Sequence, residues 1–242
     1  AHCSINRGQA RSHSQSSHIS GYNRPMTIPE PSQADPLLQK LLRYFAQQSL
    51  QQQSHPPILH PDQSINRLIN SPELPESSFR HAAVLIPVAC GENGSSVIFT
   101  LRTEHLSSHA GQVSFPGGTQ DSDDDSIEHT ALRECEEEIG LRAESVRIIG
   151  RLGNLLMPSG YCVTPVVGLF AAGTPLIPSP QEVAEIFAVP TAIALNPSSY
   201  QRSSMLYRDM EREVLEFHHD GYRIWGATAT ILHHLARELA AS

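Results

Sequence analysis

The sequence predicts an α/β protein, in the mixed α/β or α+β class, with helices packed on a mixed β-sheet. Strand-like runs outnumber helical patterns, and the two kinds of segment alternate in the order β, β, α, β, β, α, β, α. The 242 residues are 39% hydrophobic and 17% charged, values that are ordinary for a soluble globular protein. Length and composition therefore favour one large domain, or one domain with an arm.

The first 78 residues are expected to precede the main domain. Residues 1–25 are rich in Ser, His and Arg and show no apolar periodicity, so residues 1–30 are predicted to be a disordered extension. Because the first Met is Met26, we interpret residues 1–25 as a cloning remnant or a mis-assigned start, with a basic targeting extension as the alternative. Residues 31–78 should hold an amphipathic helix, capped by Asp35 with Pro36 at its first position, and then a linker.

The main domain, residues 79–242, is predicted from apolar runs of two kinds. Strands are expected at Ala82–Ala89, Ser96–Arg102, Val146–Leu152, Val163–Phe170, Ile186–Val189 and Met210–Phe217, with a hairpin turn at residues 91–94. Helices are expected at Ser126–Ile139, Thr191–Leu195 and Thr228–Ala240.

Composition excludes several classes of function. The 17 Lys and Arg residues against 25 Asp and Glu residues give a net charge of −8, which argues against a nucleic-acid partner. The four cysteines form no CxxC pair, so a zinc ribbon or a disulfide scaffold is not expected and a reducing cytoplasm fits best. The longest apolar stretch, Leu155–Ala172, is broken by prolines and polar residues, so no membrane span is predicted.

An acidic helix carries the strongest chemical signal. Ser126 can cap it and Gly140 can end it, and Glu134, Glu137 and Glu138 share one face because they stand at i, i+3 and i+4. A solvated acidic surface is the simpler explanation. However, like charges near a helix C-terminus cost free energy, and divalent cations such as magnesium or manganese would compensate that cost. An EF-hand is excluded, because the sixth position of the possible loop is Ser126 and the twelfth is Leu132.

At these residues the sequence resembles the Nudix hydrolases. Their box reads Gly, five residues, Glu, seven residues, then Arg-Glu-apolar-x-Glu-Glu-x-Gly-apolar. Here Gly118 is followed after five residues by Asp124 and after eight more by Arg133-Glu134-Cys135-x-Glu137-Glu138-x-Gly140-Leu141. The longer spacing and the Asp resemble the coenzyme A diphosphatase branch, as does the segment from Leu101 to Gly118. One departure is Ser107, where the signature of that branch usually has Arg.

The resemblance implies a Nudix fold, a mixed sheet sandwiched between helices, and a set of site residues. Metal ligands would be Glu134, Glu137, Glu138 and the backbone of Gly118; catalytic residues Arg133, Glu134, Glu137 and Glu182; substrate-binding residues Arg102, His109, Gln112, Gly117 and Gly118. The general base stays open between a box glutamate and a later one, Glu182 or Glu185. Because its guanidinium stays protonated, Arg133 is expected to orient the carboxylates in an ion pair, with Glu134 as the suggested partner.

The expected function is metal-dependent hydrolysis of a diphosphate, in coenzyme A or its thioesters, to 3′,5′-ADP and a 4′-phosphopantetheine derivative. Alternatives are a diphosphatase of ADP-ribose, NADH or a dinucleotide, or a non-catalytic module that binds a nucleotide or a protein. Mg²⁺ or Mn²⁺ is the expected cofactor. The expected partner is a small nucleotide, with no nucleic acid or membrane involved, and the protein is expected to be a monomer or homodimer.

Overall fold

The computed structural model of the chain describes residues 35–51, 55–71, 74–106, 109–207 and 210–242. The predicted disordered extension, residues 1–30, lies outside this range, and so does Ser107. Within the described residues, helices are too short or too polar to cross a membrane. The division into an extension, a helix with a linker and a domain from residue 79 stays a prediction.

The main sheet has eight strands and mixed strand directions. The strands are β1 Arg80–Gly91, β2 Gly94–Arg102, β3 Val113–Ser114, β4 Gly117–Thr119, β5 Arg147–Arg151, β6 Leu155–Met157, β7 Tyr161–Ala171 and β8 Val183–Pro190. The central path of the sheet runs β3–β2–β1–β7–β5, with β4 paired to β1, β6 paired to β7 and β8 paired to β2. The parallel pair β1–β7 makes the sheet mixed, and the other pairs are antiparallel. The predicted fold class is confirmed.

Strands β1 and β2 separate along their length, and residues 113–119 fill the gap between them. The two strands pair only from Val88–Gly91 with Gly94–Val97. Beyond that point β3 pairs with β2, and β4 pairs with β1 in the register Val84 with Gly117 and Ala83 with Gly118. Gly117 and Gly118, which the resemblance suggests as substrate-binding residues, therefore lie in a short strand.

A second sheet of three strands was only partly predicted. It has the order β11–β10–β9, with bounds Gln201–Tyr207 for β9, Met210–His219 for β10 and Tyr222–Trp225 for β11. The sequence predicts β10 but not β9 or β11, because β9 is polar and β11 has only four residues. The short helix α4 (Thr191–Ala194) and the C-terminal helix α5 (Gly226–Ala241) form where the pattern predicts helices.

The N-terminal helix α1 (Pro36–Gln51) belongs to the main hydrophobic core. Its buried residues Leu38, Leu41 and Phe45 join a cluster that also contains residues of β1, β2, β7 and α5. Asp35 caps the helix by accepting hydrogen bonds from the amides of Leu37 and Leu38, at 3.0 and 2.8 Å. Burial of apolar surface stabilises a fold by about 25 cal/mol per Å². The buried face of this helix therefore has a structural role in the core.

The expected linker contains a helix. Helix α2 (Gln63–Ile69) begins at Asp62, whose carboxylate accepts a hydrogen bond from the amide of Ser64 at 2.8 Å. Ile69 is buried with Phe79 and Cys162 in a small separate cluster. The pattern did not predict α2 because two turns offer too few residues to show a helical period.

Candidate active site

The acidic helix is α3 (Ile127–Ile139), and its ends are fixed by local sequence. The hydroxyl of Ser126 accepts a hydrogen bond from the amide of His129 at 3.1 Å, and Gly140 ends the helix with a left-handed φ of 68°. The apolar face packs on the main sheet through Ala131, Cys135 and Ile139. The glutamates follow this face around the helix, with Glu138 bordering its buried side, and they differ in exposure. The side chain of Glu137 is 61% exposed, that of Glu134 17% and that of Glu138 3%.

Arg133 is the centre of an ion-pair network at the N-terminal side of the site. Its Nε and Nη2 donate hydrogen bonds to the two carboxylate oxygens of Asp124, at 3.0 and 2.9 Å. Its Nη1 donates to Glu134 at 2.9 Å and to Glu137 at 3.3 Å. The expected contact with Glu134 is thus present, but the bidentate pair with Asp124 is the better geometry. These hydrogen bonds hold the pKa of Asp124 well below its usual range and raise the pKa of Arg133.

Asp124 is buried although it lies in a loop. Its side chain is 2% exposed, and besides Arg133 it accepts hydrogen bonds from the hydroxyl of Thr130 at 2.9 Å and from the amide of Asp121 at 3.0 Å. The sequence placed Asp124 at the first acidic position of the box but gave it no role. The structure makes it the anchor that orients Arg133, and through Arg133 the carboxylates of Glu134 and Glu137.

Glu138 is the most buried of the three glutamates of the acidic helix. Its Oε1 accepts a hydrogen bond from Nη1 of Arg102 at 3.3 Å, while its Oε2 is buried without a partner among the described residues. Burial raises the pKa of Glu138 to about 8, against the attraction of Arg102. A buried polar atom without a partner is costly, so such an atom in a functional cleft indicates a site for a ligand.

Glu182 and Glu185 lie on different sides of the main sheet. Glu182 lies just before β8, and its carboxylate is 3.8 Å from Nη2 of Arg102, which also contacts Glu138. Glu185 lies within β8. Its neighbour Ile186 packs against the apolar cluster that α3 forms with the main sheet. Because side chains alternate along a strand, Glu185 points to the opposite face, where it accepts a hydrogen bond from the hydroxyl of Tyr222. The geometry thus brings Glu182, not Glu185, to the acidic site.

Gly117 packs closely against the backbone of β1, and Gly118 against the carboxylate of Glu134. A Cβ on Gly117 would lie 2.3 Å from the carbonyl oxygen of Ala83, and one on Gly118 would lie 2.4 Å from Oε1 of Glu134. Neither contact is possible for a real Cβ atom. Gly118 therefore lets strand β4 approach the carboxylate of Glu134.

The remaining predicted substrate residues lie beside Arg102. The amide of Arg102 donates to the carbonyl of Gln112 at 3.0 Å. Nδ1 of His109 lies 2.9 Å from Oε1 of Gln112, and His109 has a left-handed φ of 55°. The loop is thus folded so that His109 and Gln112 contact each other next to Arg102. His109 is exposed, as a residue that meets a ligand from solution must be.

Comparison with known proteins decides the family. The sequence profile of the NUDIX domain matches residues 79–206, just over half of the chain. The chain belongs to the Nudix family. It is 45% identical over 160 residues to the protein named Uncharacterized Nudix hydrolase NudL of Photorhabdus laumondii, a match covering 66% of this chain and 85% of the relative.

Other matches have the same name. The Yersinia pestis (strain Pestoides F) protein named Uncharacterized Nudix hydrolase NudL is 43% identical over 161 residues, covering 66% of this chain and 80% of the relative. Among solved structures, a MutT/nudix family protein from Enterococcus faecalis matches 86% of this chain and 76% of its own, at 15% identity and a TM-score of 0.43. The profile match and these named relatives show that the protein is a Nudix hydrolase, an enzyme that hydrolyses a diphosphate linkage. Nudix hydrolases generally use divalent metal ions.

The acidic residues fit a divalent cation by their chemistry. Hard cations prefer carboxylate and carbonyl oxygens, and the site offers the carboxylates of Glu134 and Glu138, one of them with a buried free oxygen. Burial also raises the pKa of Glu134, which a bound cation would oppose. Over the described ranges, His, Cys, Asp and Glu side chains form no ready-made group of three at metal-binding distance. Arg133 and Arg102 bond these carboxylates instead.

Proposed function

We propose that this Nudix hydrolase cleaves the diphosphate linkage of coenzyme A or its thioesters, giving 3′,5′-ADP and 4′-phosphopantetheine or its acyl derivative. One observation carries the proposal. Arg102, which belongs to the segment that resembles the coenzyme A signature, contacts both Glu138 of the box and Glu182. The signature segment and the hydrolytic box therefore meet at the guanidinium of Arg102, and a diphosphate would have to lie beside this group.

Glu134, Glu137, Glu138 and the backbone of Gly118 would hold Mg²⁺ or Mn²⁺. Such an ion neutralises phosphate charge and lowers the pKa of a bound water. The chain's own contribution is to hold these oxygens in place. Arg133 fixes Glu134 and Glu137 from one side, and the missing side chain of Gly118 leaves room beside Glu134.

Arg102, Gln112 and His109 would bind the substrate. A guanidinium is suited to phosphate oxygens, because its planar set of N–H groups can donate two parallel hydrogen bonds. Arg102 is partly exposed, with 20% of its side chain accessible, so it can reach a ligand while its stem stays packed. Gln112 and His109 add hydrogen-bond donors on the adjacent loop.

Glu182 is the proposed general base. Half of its side chain is exposed, so water can reach its carboxylate, and it lies near the buried carboxylates without being one of them. A general base must be within hydrogen-bond reach of the attacking water, and it typically contributes about 10²–10⁴-fold to the rate. Glu185 is a poor candidate because it lies on the other face of the sheet.

Substrate choice is tested by comparing kcat/KM for four diphosphates with Mg²⁺ and with Mn²⁺: coenzyme A, 3′-dephospho-coenzyme A, ADP-ribose and NADH. The proposal predicts that coenzyme A is the best substrate and that loss of the 3′-phosphate lowers kcat/KM. A clear preference for ADP-ribose or NADH would mean that Ser107, in place of the expected Arg, marks a changed substrate. A cytoplasmic location and a monomeric or homodimeric state remain predictions.

A further inference from the structure

The loop between β7 and β8, which carries Glu182, is fastened to the end of α3. The amide of Ile177 donates to the carbonyl of Ile139, and the amide of Ser179 donates to the carbonyl of Glu138, both at 2.8 Å. These bonds use carbonyl groups that the last turn of any helix leaves without intrahelical partners. As a result, the backbone that leads to Glu182 is attached to the peptide of Glu138.

Farther along the same loop, the turn at Gln181 and Glu182 is held by Thr103. Its amide donates to the carbonyl of Glu182 at 2.9 Å, and its hydroxyl donates to the carbonyl of Gln181 at 3.3 Å. Thr103 is buried and directly follows Arg102, the last residue of β2. Two successive carbonyls of the turn thus accept hydrogen bonds from one residue, which restricts rotation of the peptide that joins Gln181 and Glu182.

The carboxylate of Glu182 has little else to orient it. Its side chain is half exposed, and its contact with Arg102 is long, at 3.8 Å. An exposed ion pair of this length contributes little to fixing a geometry. The direction of the Glu182 side chain is therefore set mainly by its backbone. That backbone is held by Thr103, together with hydrogen bonds from the amides of Glu182 and Val183 to the carbonyl of Ser179, at 3.0 and 2.8 Å.

We propose that Thr103 is a positioning residue for catalysis, which acts by holding the Gln181–Glu182 turn so that Glu182 faces the reacting diphosphate. The inference rests on the proposed function, in which Glu182 is the general base. Misplacing a catalytic group by about 1 Å can cost up to ~10²-fold in rate. Loss of one hydrogen bond that restricts the turn should cost a part of this, about 10-fold.

The test compares Thr103→Val, which removes the hydroxyl and keeps the shape and the amide, with Thr103→Ser, which keeps the hydroxyl. With coenzyme A and Mg²⁺, or ADP-ribose if coenzyme A is not cleaved, Thr103→Val should lower kcat about 10-fold and leave KM within about twofold. Thr103→Ser should keep kcat within about twofold of wild type. If the valine variant does not fold, Thr103→Cys, with a much weaker donor, takes its place.

A matched control measures the cost of losing a buried threonine hydroxyl elsewhere. Thr164, in β7, is as buried as Thr103, and its hydroxyl donates to Oδ1 of Asn154 at 2.9 Å. Thr164→Val should lower the melting temperature about as much as Thr103→Val does, but should leave kcat unchanged. Equal kcat in the Thr103→Val and Thr164→Val variants would reduce Thr103 to a structural residue and overturn the proposal.

A double-mutant cycle with Glu182→Gln separates this inference from the proposed function. If Glu182→Gln alone lowers kcat strongly, adding Thr103→Val should cause no further loss, because the group that Thr103 positions is already gone. Additive losses would show that Thr103 acts by another route and refute its positioning role, while Glu182 would keep its own. If Glu182→Gln leaves kcat unchanged, the base assignment is wrong and the role of Thr103 fails with it.

Discussion

The pair between Asp124 and Arg133 offers a sharp test of the network, through the substitution Asp124→Asn. The carboxylate accepts four hydrogen bonds, two of them from Arg133, and its side chain is 2% exposed. Asparagine keeps the shape but has one acceptor oxygen, and its NH₂ group would face the N–H groups of Arg133 or Thr130. Removing one partner of a buried pair typically costs about 3–5 kcal/mol. Because the side chain of Arg133 is 23% exposed and keeps Glu134 and Glu137 as partners, we expect the lower end, about 3 kcal/mol.

Urea denaturation measures this change directly. With a slope of about 2 kcal/mol per M, a loss of about 3 kcal/mol moves the midpoint down by about 1.5 M. Asp123→Asn is the matched control, because Asp123 is the exposed neighbour, and its effect should stay within about 0.5 kcal/mol. A midpoint for Asp124→Asn within error of that for Asp123→Asn would refute the anchoring role of Asp124.

The same pair predicts a pH dependence of stability. The pKa of Asp124 is lower in the folded protein than in the unfolded chain, so its contribution is fully present above the unfolded value of about 3.9. The contribution is lost as the pH falls through the folded value. The difference in unfolding free energy between wild type and Asp124→Asn should therefore be constant from pH 7 to pH 5 and shrink below about pH 4.

Four further substitutions test the residues of the site. Glu138→Gln should abolish turnover while circular dichroism and the melting temperature stay near wild type, because burial already disfavours the charge of this carboxylate and the amide keeps its shape; retained activity would contradict its metal role. Gly118→Ala should lower kcat at least ~10²-fold, since the new Cβ would displace the carboxylate of Glu134, and normal steady-state kinetics would argue against this close approach. Glu182→Gln should lower kcat about 10²–10⁴-fold while Glu185→Gln stays within a few-fold, and the reverse order would move the base to Glu185.

The sequence predicts the parts of the fold that local patterns determine. Helix α3 is defined by its cap Ser126 and by Gly140, and the structure confirms both ends. Long apolar runs likewise predict the main strands, such as β7. The fold class follows from their order, and the resemblance to the Nudix box points to the family that the profile match confirms.

What the sequence does not predict depends on contacts between distant residues. Strands β4 and β11 are too short to show a period, and β4 forms only because β1 and β2 separate and leave a gap. Strand β9 is polar and forms by pairing with β10.

The site shows the same limit. The spacing of the glutamates predicts a common helix face, but not that Glu138 is buried while Glu137 is exposed, since this depends on the β8 loop and on Arg102. The choice between Glu182 and Glu185 likewise needs the register of β8 on β2. The hydrogen bonds of Thr103 to that loop join residues almost eighty positions apart, and a single sequence carries no signal for them.

Mass-spectrometric analysis of the products that the purified protein forms from coenzyme A tests the central claim most directly. The protein would be incubated with coenzyme A alone, with Mg²⁺ and with Mn²⁺, and Glu138→Gln would serve as the inactive control. We expect 3′,5′-ADP and 4′-phosphopantetheine to appear together, only with a metal ion and only with the wild-type protein. Intact coenzyme A under all conditions, from a preparation that hydrolyses another nucleoside diphosphate, would contradict the proposed substrate.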